Sequence, residues 1–321
     1  MSGGNIVASV LVILGMLVIY EKFSRHDRRL SESKFYKQFL VGKSDTQNVD
    51  VEKPMLWIHV THDQNARWWK SFYSRNSEFL NQPYLFLTMN STITKNAPDF
   101  NVAVIDDDSF SALIPGWTHD LTKVSDSVRS HIRLVALTKL LSLYGGMLVP
   151  PGFACGRPLI QLYREGITGA DMFVCENHAE SVIADSNVFF PSVKFMGCAT
   201  KSQSMMKLND YIVKTVAASH TDEIEFTGKI NMFCHKMVLG REANVISGKS
   251  TGVRKEDGSA VSIEDLFGTS NVALHSGTYG LWIPHEKILS RVKYGYFPRM
   301  SSDQVMKSGE FVSRAVTAAG S

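Results

Sequence analysis

Residues 6–20 read IVASVLVILGMLVIY, and no charged side chain occurs between Ser2 and Tyr20. As a helix rising ~1.5 Å per residue, this run just spans a hydrocarbon core of ~30 Å. A cleaved signal peptide would carry basic residues before its apolar run and small residues after it. Here Lys22, Arg25, Arg28, Arg29, Lys34 and Lys37 follow the run, and only the α-amino group precedes it. Cations held on the cytosolic side then predict a single-pass protein with its N-terminus across the membrane and its C-terminal bulk in the cytosol. A buried hairpin helix is the alternative reading of the same residues.

The remaining chain divides by composition. Residues 1–20 are the expected anchor, and residues 21–52 are polar and charged, as suits a juxtamembrane helix running into a linker. A folded domain is expected over 53–300, with a Gly-, Ser- and charge-rich surface excursion at 241–270, followed by a peripheral tail at 301–321. Hydrophobic residues make up 44% of the 321 and charged residues 20%, which is the composition of a globular chain rather than a disordered one. A net charge of +3 gives no case for nucleic acid as a partner.

Short apolar runs alternate with helical patterns, so the fold class is α/β. Strands are expected at Met55 to Val60, Pro83 to Thr88, Asn101 to Ile105, Met147 to Val149, Met172 to Cys175 and Val188 to Phe190. Helices are expected around Trp68–Trp69 and Phe72–Tyr73, from Val128 to Tyr144, where Gly145-Gly146 ends the pattern, and from Ser204 to Ala217. Cys155, Cys175, Cys198 and Cys234 are far apart and lie in apolar company, with no CxxC pair. They read as buried free thiols, in keeping with a reducing compartment. The sequon Asn90-Ser91-Thr92 would go unused on the cytosolic side.

The segment Leu140-Leu141-Ser142-Leu143-Tyr144-Gly145-Gly146-Met147-Leu148-Val149 resembles the helix, Tyr-Gly-Gly turn and strand of the DXD-containing sugar-binding glycosyltransferases, a group that includes yeast mannosyltransferases and capsular-polysaccharide transferases. Lys53-Pro54 through His59 resembles the opening strand of that family, Asn101 to Phe110 its acidic segment, and Phe226-Thr227-Gly228 its late Thr-Gly-Pro turn. The resemblance implies a GT-A-like, Rossmann-type mixed sheet with flanking helices over residues 53 to 235. In the family the strand after Gly-Gly ends in two carboxylates that hold Mn²⁺ or Mg²⁺ against a sugar-nucleotide diphosphate. Those positions fall here on Pro150 and Gly152, and the family's helix Asp and Arg fall on Leu134 and Leu137. Golgi members also have the opposite membrane orientation. The anchor together with Gly-Gly-Met-Leu-Val-Pro-Pro-Gly-Phe is similar to a membrane protein family of large nucleocytoplasmic DNA viruses, glycosyltransferase-like but without the acidic motif. Their virions carry an internal membrane beneath an icosahedral capsid, so the resemblance implies a minor capsid or scaffold protein on that membrane, facing the shell and touching other capsid proteins.

Two readings of the polar residues stay open. Asp106, Asp107 and Asp108 either form a relocated metal site or cap the turn after a strand, with Asp108 the expected N-cap. Arg129 and Arg133, one helical turn apart, either grip a diphosphate or pair with those acids. His59 is a candidate base and His62 a candidate nucleotide contact, or each is simply a hydrogen-bonded histidine at the end of a strand. Trp57, Trp68, Trp69 and Trp117 either stack on a ligand or belong to the core. The expected function is a non-catalytic, membrane-anchored structural protein without a cofactor. The alternatives are a nucleotide-sugar transferase, either metal-independent or using Mn²⁺ or Mg²⁺ at a relocated site, and a sugar- or nucleotide-binding module without turnover.

Overall fold

The fold is taken from a computed structural model, in which the described residues are 50, 52–61, 82–178, 189–218 and 223–320. The apolar run 6–20, the juxtamembrane stretch, the expected Trp68 to Tyr73 helix and His62 lie outside them. Among the described residues no helix is long and apolar enough to cross a membrane.

Apolar runs with β-branched and aromatic residues become the strands of a six-stranded mixed sheet ordered β2-β1-β3-β6-β5-β7. They are β1 (Met55–His59), β2 (Asn101–Ile105), β3 (Gly146–Leu148), β5 (Met172–Glu176), β6 (Pro191–Cys198) and β7 (Asn244–Ile246). β1 pairs in parallel with β2, Met55 opposite Asn101, and with β3, Trp57 opposite Leu148. β6 runs against both β3 and β5, and β5 is parallel to β7, so β6 alone is reversed. The chain therefore passes from β1 to β2 on one side and returns to β3 on the other. This is a topological switch point, and α/β sheets of this kind open a crevice at the carboxyl ends of the strands there.

Helices α2 (Asp126–Tyr144), α4 (Gln203–Ala218) and α5 (Glu223–Leu239) share one core with the sheet, in which Leu140, Leu141, Leu208, Ile212 and Ile230 meet Trp57, Ile105 and Val174. Short helix α3 (Ile160–Gly166) precedes β5. A second, two-stranded sheet pairs β4 (Phe153–Cys155) with β8 (Gly280–Trp282) in antiparallel register. The chain then continues through α6 (His285–Ser290), α7 (Ser302–Lys307) and α8 (Phe311–Gly320). All four cysteines are free and buried, and burial pushes the thiols up, Cys155 to about 11 and Cys234 to about 12, so they stay protonated.

Five expectations are corrected. Residues Pro83 to Thr88 are not a strand; they open α1 (Tyr84–Asn96), whose buried face includes Tyr84, Leu85, Thr88, Ser91, Thr92 and Asn96. The polar members of that face disguise the helical stripe. They are buried because they bond the β4 segment: Thr88 Oγ1 donates to the Pro151 carbonyl (2.6 Å), Thr92 Oγ1 to that of Phe153 (3.0 Å), and Ser91 Oγ accepts from Cys155 N (3.1 Å). The sequon at Asn90 thus lies inside this helix. The strand expected to end at Phe190 instead begins at Pro191. Phe226-Thr227-Gly228 is no turn and sits within α5. The excursion 241–270 contributes β7 and buries Val253, Val261 and Leu266, whose spacing is too irregular to show a period. The tail is not peripheral either: α8 buries Val312, Val316 and Ala319 at helical spacing.

The Gly-Gly turn is a steric necessity. Gly145 (φ +67°) ends α2, its N–H donating to the Leu141 carbonyl at 2.7 Å. Gly146 has φ +92°, and a Cβ there would meet the Met55 carbonyl oxygen at 2.1 Å. We expect Gly146→Ala to lower stability by more than ~3 kcal/mol, because the Met55 backbone must move and the left-handed φ disfavours any side chain. Denaturant unfolding of the purified chain in detergent would measure this, and an unchanged midpoint would contradict the packing.

Candidate functional site at the carboxyl edge of the sheet

His59 is the last residue of β1, Asp106 to Asp108 follow β2, and Arg133 is the eighth residue of α2, so the switch point gathers five of the sequence candidates. Asp107 is their centre. Arg133 donates to it in a fork, Nε to Oδ1 at 2.8 Å and Nη2 to Oδ2 at 2.7 Å, and His59 Nε2 lies 3.1 Å from Oδ1. Burial would raise the Asp107 carboxyl, but the hydrogen bonds from His59 and Arg133 outweigh it and hold the group well below the usual carboxylate range. Phe110 stacks on the His59 ring, with centroids 5.4 Å apart and planes within 7°. The cluster is thus a compensated ion pair with a fixed imidazole.

The neighbouring acids do other work. Asp106 is buried, and its Oδ1 accepts from the Ser109 N–H (2.9 Å) and hydroxyl (2.7 Å), closing the turn that leads into the short helix Phe110–Leu113. Asp108, expected as the N-cap, is exposed, and Ser109 occupies the N-cap position instead. The turn carries one residue more than the pattern suggests, and Asp106 holds the N-cap residue Ser109 rather than the helix itself. Arg129 does not share the cluster's ion pair: its guanidinium donates to the Leu121 (2.9 Å) and Val124 (3.0 Å) carbonyls and ties down the loop before α2. Trp57 is core, its indole N–H donating to the Gly145 carbonyl at 3.0 Å, and Trp117 packs against Phe110.

A divalent cation does not fit at the positions where the family resemblance would put it. Pro150 and Gly152 are buried and offer no carboxylate. Gly152 pairs with β8's extension, its carbonyl accepting from Ile283 N (2.9 Å), and a Cβ there would lie 2.6 Å from the Ile283 carbonyl and 3.2 Å from His285 Nδ1. A larger side chain has no room to project. Leu134 and Leu137 pack against the core. Among the described residues no three His, Cys, Asp or Glu side chains gather in a way that could hold a metal.

A second polar centre at the same edge escaped the sequence reading. Glu176 ends β5, is buried, pairs with Arg254 Nε and accepts from Gly248 N at 2.8 Å. Arg254 also donates to the Gly258 carbonyl (2.8 Å). With Phe189, Ser247, Asp257 and Ser259 they line a cleft of about 570 Å³. The sequence signal was a charged residue closing an apolar strand, the same signal that pointed to Asp106. Nearby, buried His178 donates from Nε2 to the Trp282 carbonyl at 2.7 Å, and burial lowers its pKa to about 3. His285 is also lowered, by burial first.

Two outcomes are expected. Asp107→Ala should destabilise the fold by about 2–4 kcal/mol, since Arg133 and His59 lose their anion, and a double mutant with Arg133→Ala should recover part of the loss. On acidification the unfolded chain protonates its histidines near pH 6.5, whereas folded His178 and His285 resist protonation. Stability should therefore fall below about pH 6.5, by up to ~1.4 kcal/mol per pH unit and group, and Asp107 should add a further loss below about pH 4, as its unfolded carboxyl takes up a proton. Denaturant titrations at stepped pH test this, and His178→Gln should flatten the slope between pH 6.5 and 4.

No protein-family model matches the chain, and no curated protein matches it. Among solved structures, the PaToxG glycosyltransferase aligns over 68% of this chain and 81% of its own, with 10% identity and a TM-score of 0.35.

Proposed function

We propose that this chain is a membrane-tethered, glycosyltransferase-like protein that acts by binding and assembly rather than by metal-assisted sugar transfer. The observation that carries the reading is the closure at Gly152, where β8's extension occupies the space a metal-binding carboxylate would need. The compensated state of Arg133 points the same way, because stabilising a diphosphate leaving group requires positive charge not already balanced by a carboxylate. The tether is read from the apolar run 6–20 and the cations behind it. The setting between the internal membrane and the shell of a large DNA virus is read from the sequence resemblance, and capsid proteins would be the neighbours there.

The cleft beside Glu176 favours a second reading, a module that holds a sugar or nucleotide without turning it over. One comparison separates these readings from an active transferase: thermal unfolding of the detergent-purified chain with UDP- and GDP-sugars, each with and without Mn²⁺. Structural use predicts no stabilisation under any condition. A metal-independent shift lost in Arg254→Ala would select the binding module. A shift that needs Mn²⁺, or release of nucleoside diphosphate, would overturn the main reading. Gly152→Asp should cost more than about 2 kcal/mol and create no Mn²⁺ dependence, since its Cβ alone would lie 2.6 Å from the Ile283 carbonyl oxygen.

A further inference from the structure

From the last two residues of α6 onward the chain exposes five residues in succession, 289–293, between two buried neighbours, Ile288 and Tyr294. Their sequence is Leu-Ser-Arg-Val-Lys. Val292 is 98% exposed and Leu289 47%, so among the described residues none covers these two aliphatic side chains. Arg291 and Lys293 flank Val292, and both are exposed. The segment is held from below rather than loose: Ile288 and Phe297 are fully buried, and Tyr294 stacks on Phe267 with centroids 4.4 Å apart. Tyr296, itself partly exposed, donates its hydroxyl to Glu310, and Lys293 Nζ lies over the Tyr294 ring. The acids of this region are Glu286, paired with Lys194, Glu310, engaged by Tyr296, and Glu264, whose charge reaches Lys293. The tip itself carries two cations and no acid.

We propose that residues 289–293 form a membrane-contact loop that seats the folded domain on an anionic phospholipid surface. Val292 and Leu289 would enter the headgroup boundary while Arg291 and Lys293 engage lipid phosphates, with their aliphatic stems lying along the apolar side. Charge complementarity selects lipid: two aliphatic tips between cations are too small a patch for the roughly 800 Å² per partner of a stable protein interface, yet they suit a fluid, negatively charged surface. The inference rests on the membrane-tethered reading above and adds a second contact, which would hold the domain close to the bilayer instead of at the end of a linker.

The test uses the full chain reconstituted in vesicles, with an environment-sensitive probe on Val292→Cys and, as reference, on Lys139→Cys, which is exposed on α2. The four native cysteines are buried and leave labelling selective. In phosphatidylserine-containing vesicles the probe at 292 should be quenched by lipid-borne quenchers about threefold more than the probe at 139, and the difference should fall away in pure phosphatidylcholine or in Arg291→Glu/Lys293→Glu. Equal quenching at both sites, or quenching at 292 indifferent to lipid charge, overturns the proposal. So does a probe at 292 that is shielded only when capsid proteins are added. Release of the chain by alkaline carbonate would defeat the tether instead, and the same probe pair, with vesicles added to the released protein, would still report on the loop.

Discussion

At Gly146 the backbone of β3 lies against the Met55 carbonyl, closer than any side chain permits. That approach seats three residues, Gly146 to Leu148, between β1 on one side and β6 on the other, and so joins the parallel and antiparallel parts of the sheet. It also positions Trp57, whose indole binds the Gly145 carbonyl and whose ring faces the core under α2. Because β1, β2 and β3 must then end together, the switch point and its polar residues follow from one backbone contact.

At the carboxyl edge of the sheet Asp107 and Glu176 are each paired with an arginine from a later segment. A carboxylate there would be costly if left alone in a partly buried setting, and the arginine removes that cost. The two centres differ in what surrounds them. At Asp107 the partners are Arg133 and His59, on whose ring Phe110 stacks, while Glu176 and Arg254 line a cleft together with Ser247 and Ser259.

Much of the sheet was legible because these strands are almost wholly buried and so appear as unbroken apolar runs: β1, β2, β3 and β5 all lie where the runs lie. The helix ending in Gly145-Gly146 was equally plain, as was α4. α1 was misread because half of its buried face is Thr, Ser and Asn bonded to the backbone of β4, a pattern invisible to hydrophobic periodicity. The segment 241–270 was misread because it folds as several short elements, each with one or two buried side chains. Of the site residues, the pairing of Arg133 with the acidic segment was among the readings weighed, but which aspartate it chooses was not, and Glu176 was passed over because its arginine lies 78 positions away.

Local chemistry in the chain settles the α/β class, the need for glycine at the turn, the absence of carboxylates at Pro150 and Gly152, and the protonated state of thiols set in apolar runs. Those properties depend on each residue and its near neighbours, where propensity and sterics act. Which polar groups meet, whether a glycine faces open space or another backbone, and whether the last helix lies in the core are matters of long-range packing. Gly152 is the sharpest case: as a letter it removes a ligand, but only the arrival of Ile283 and His285 from the far end of the chain removes the space as well.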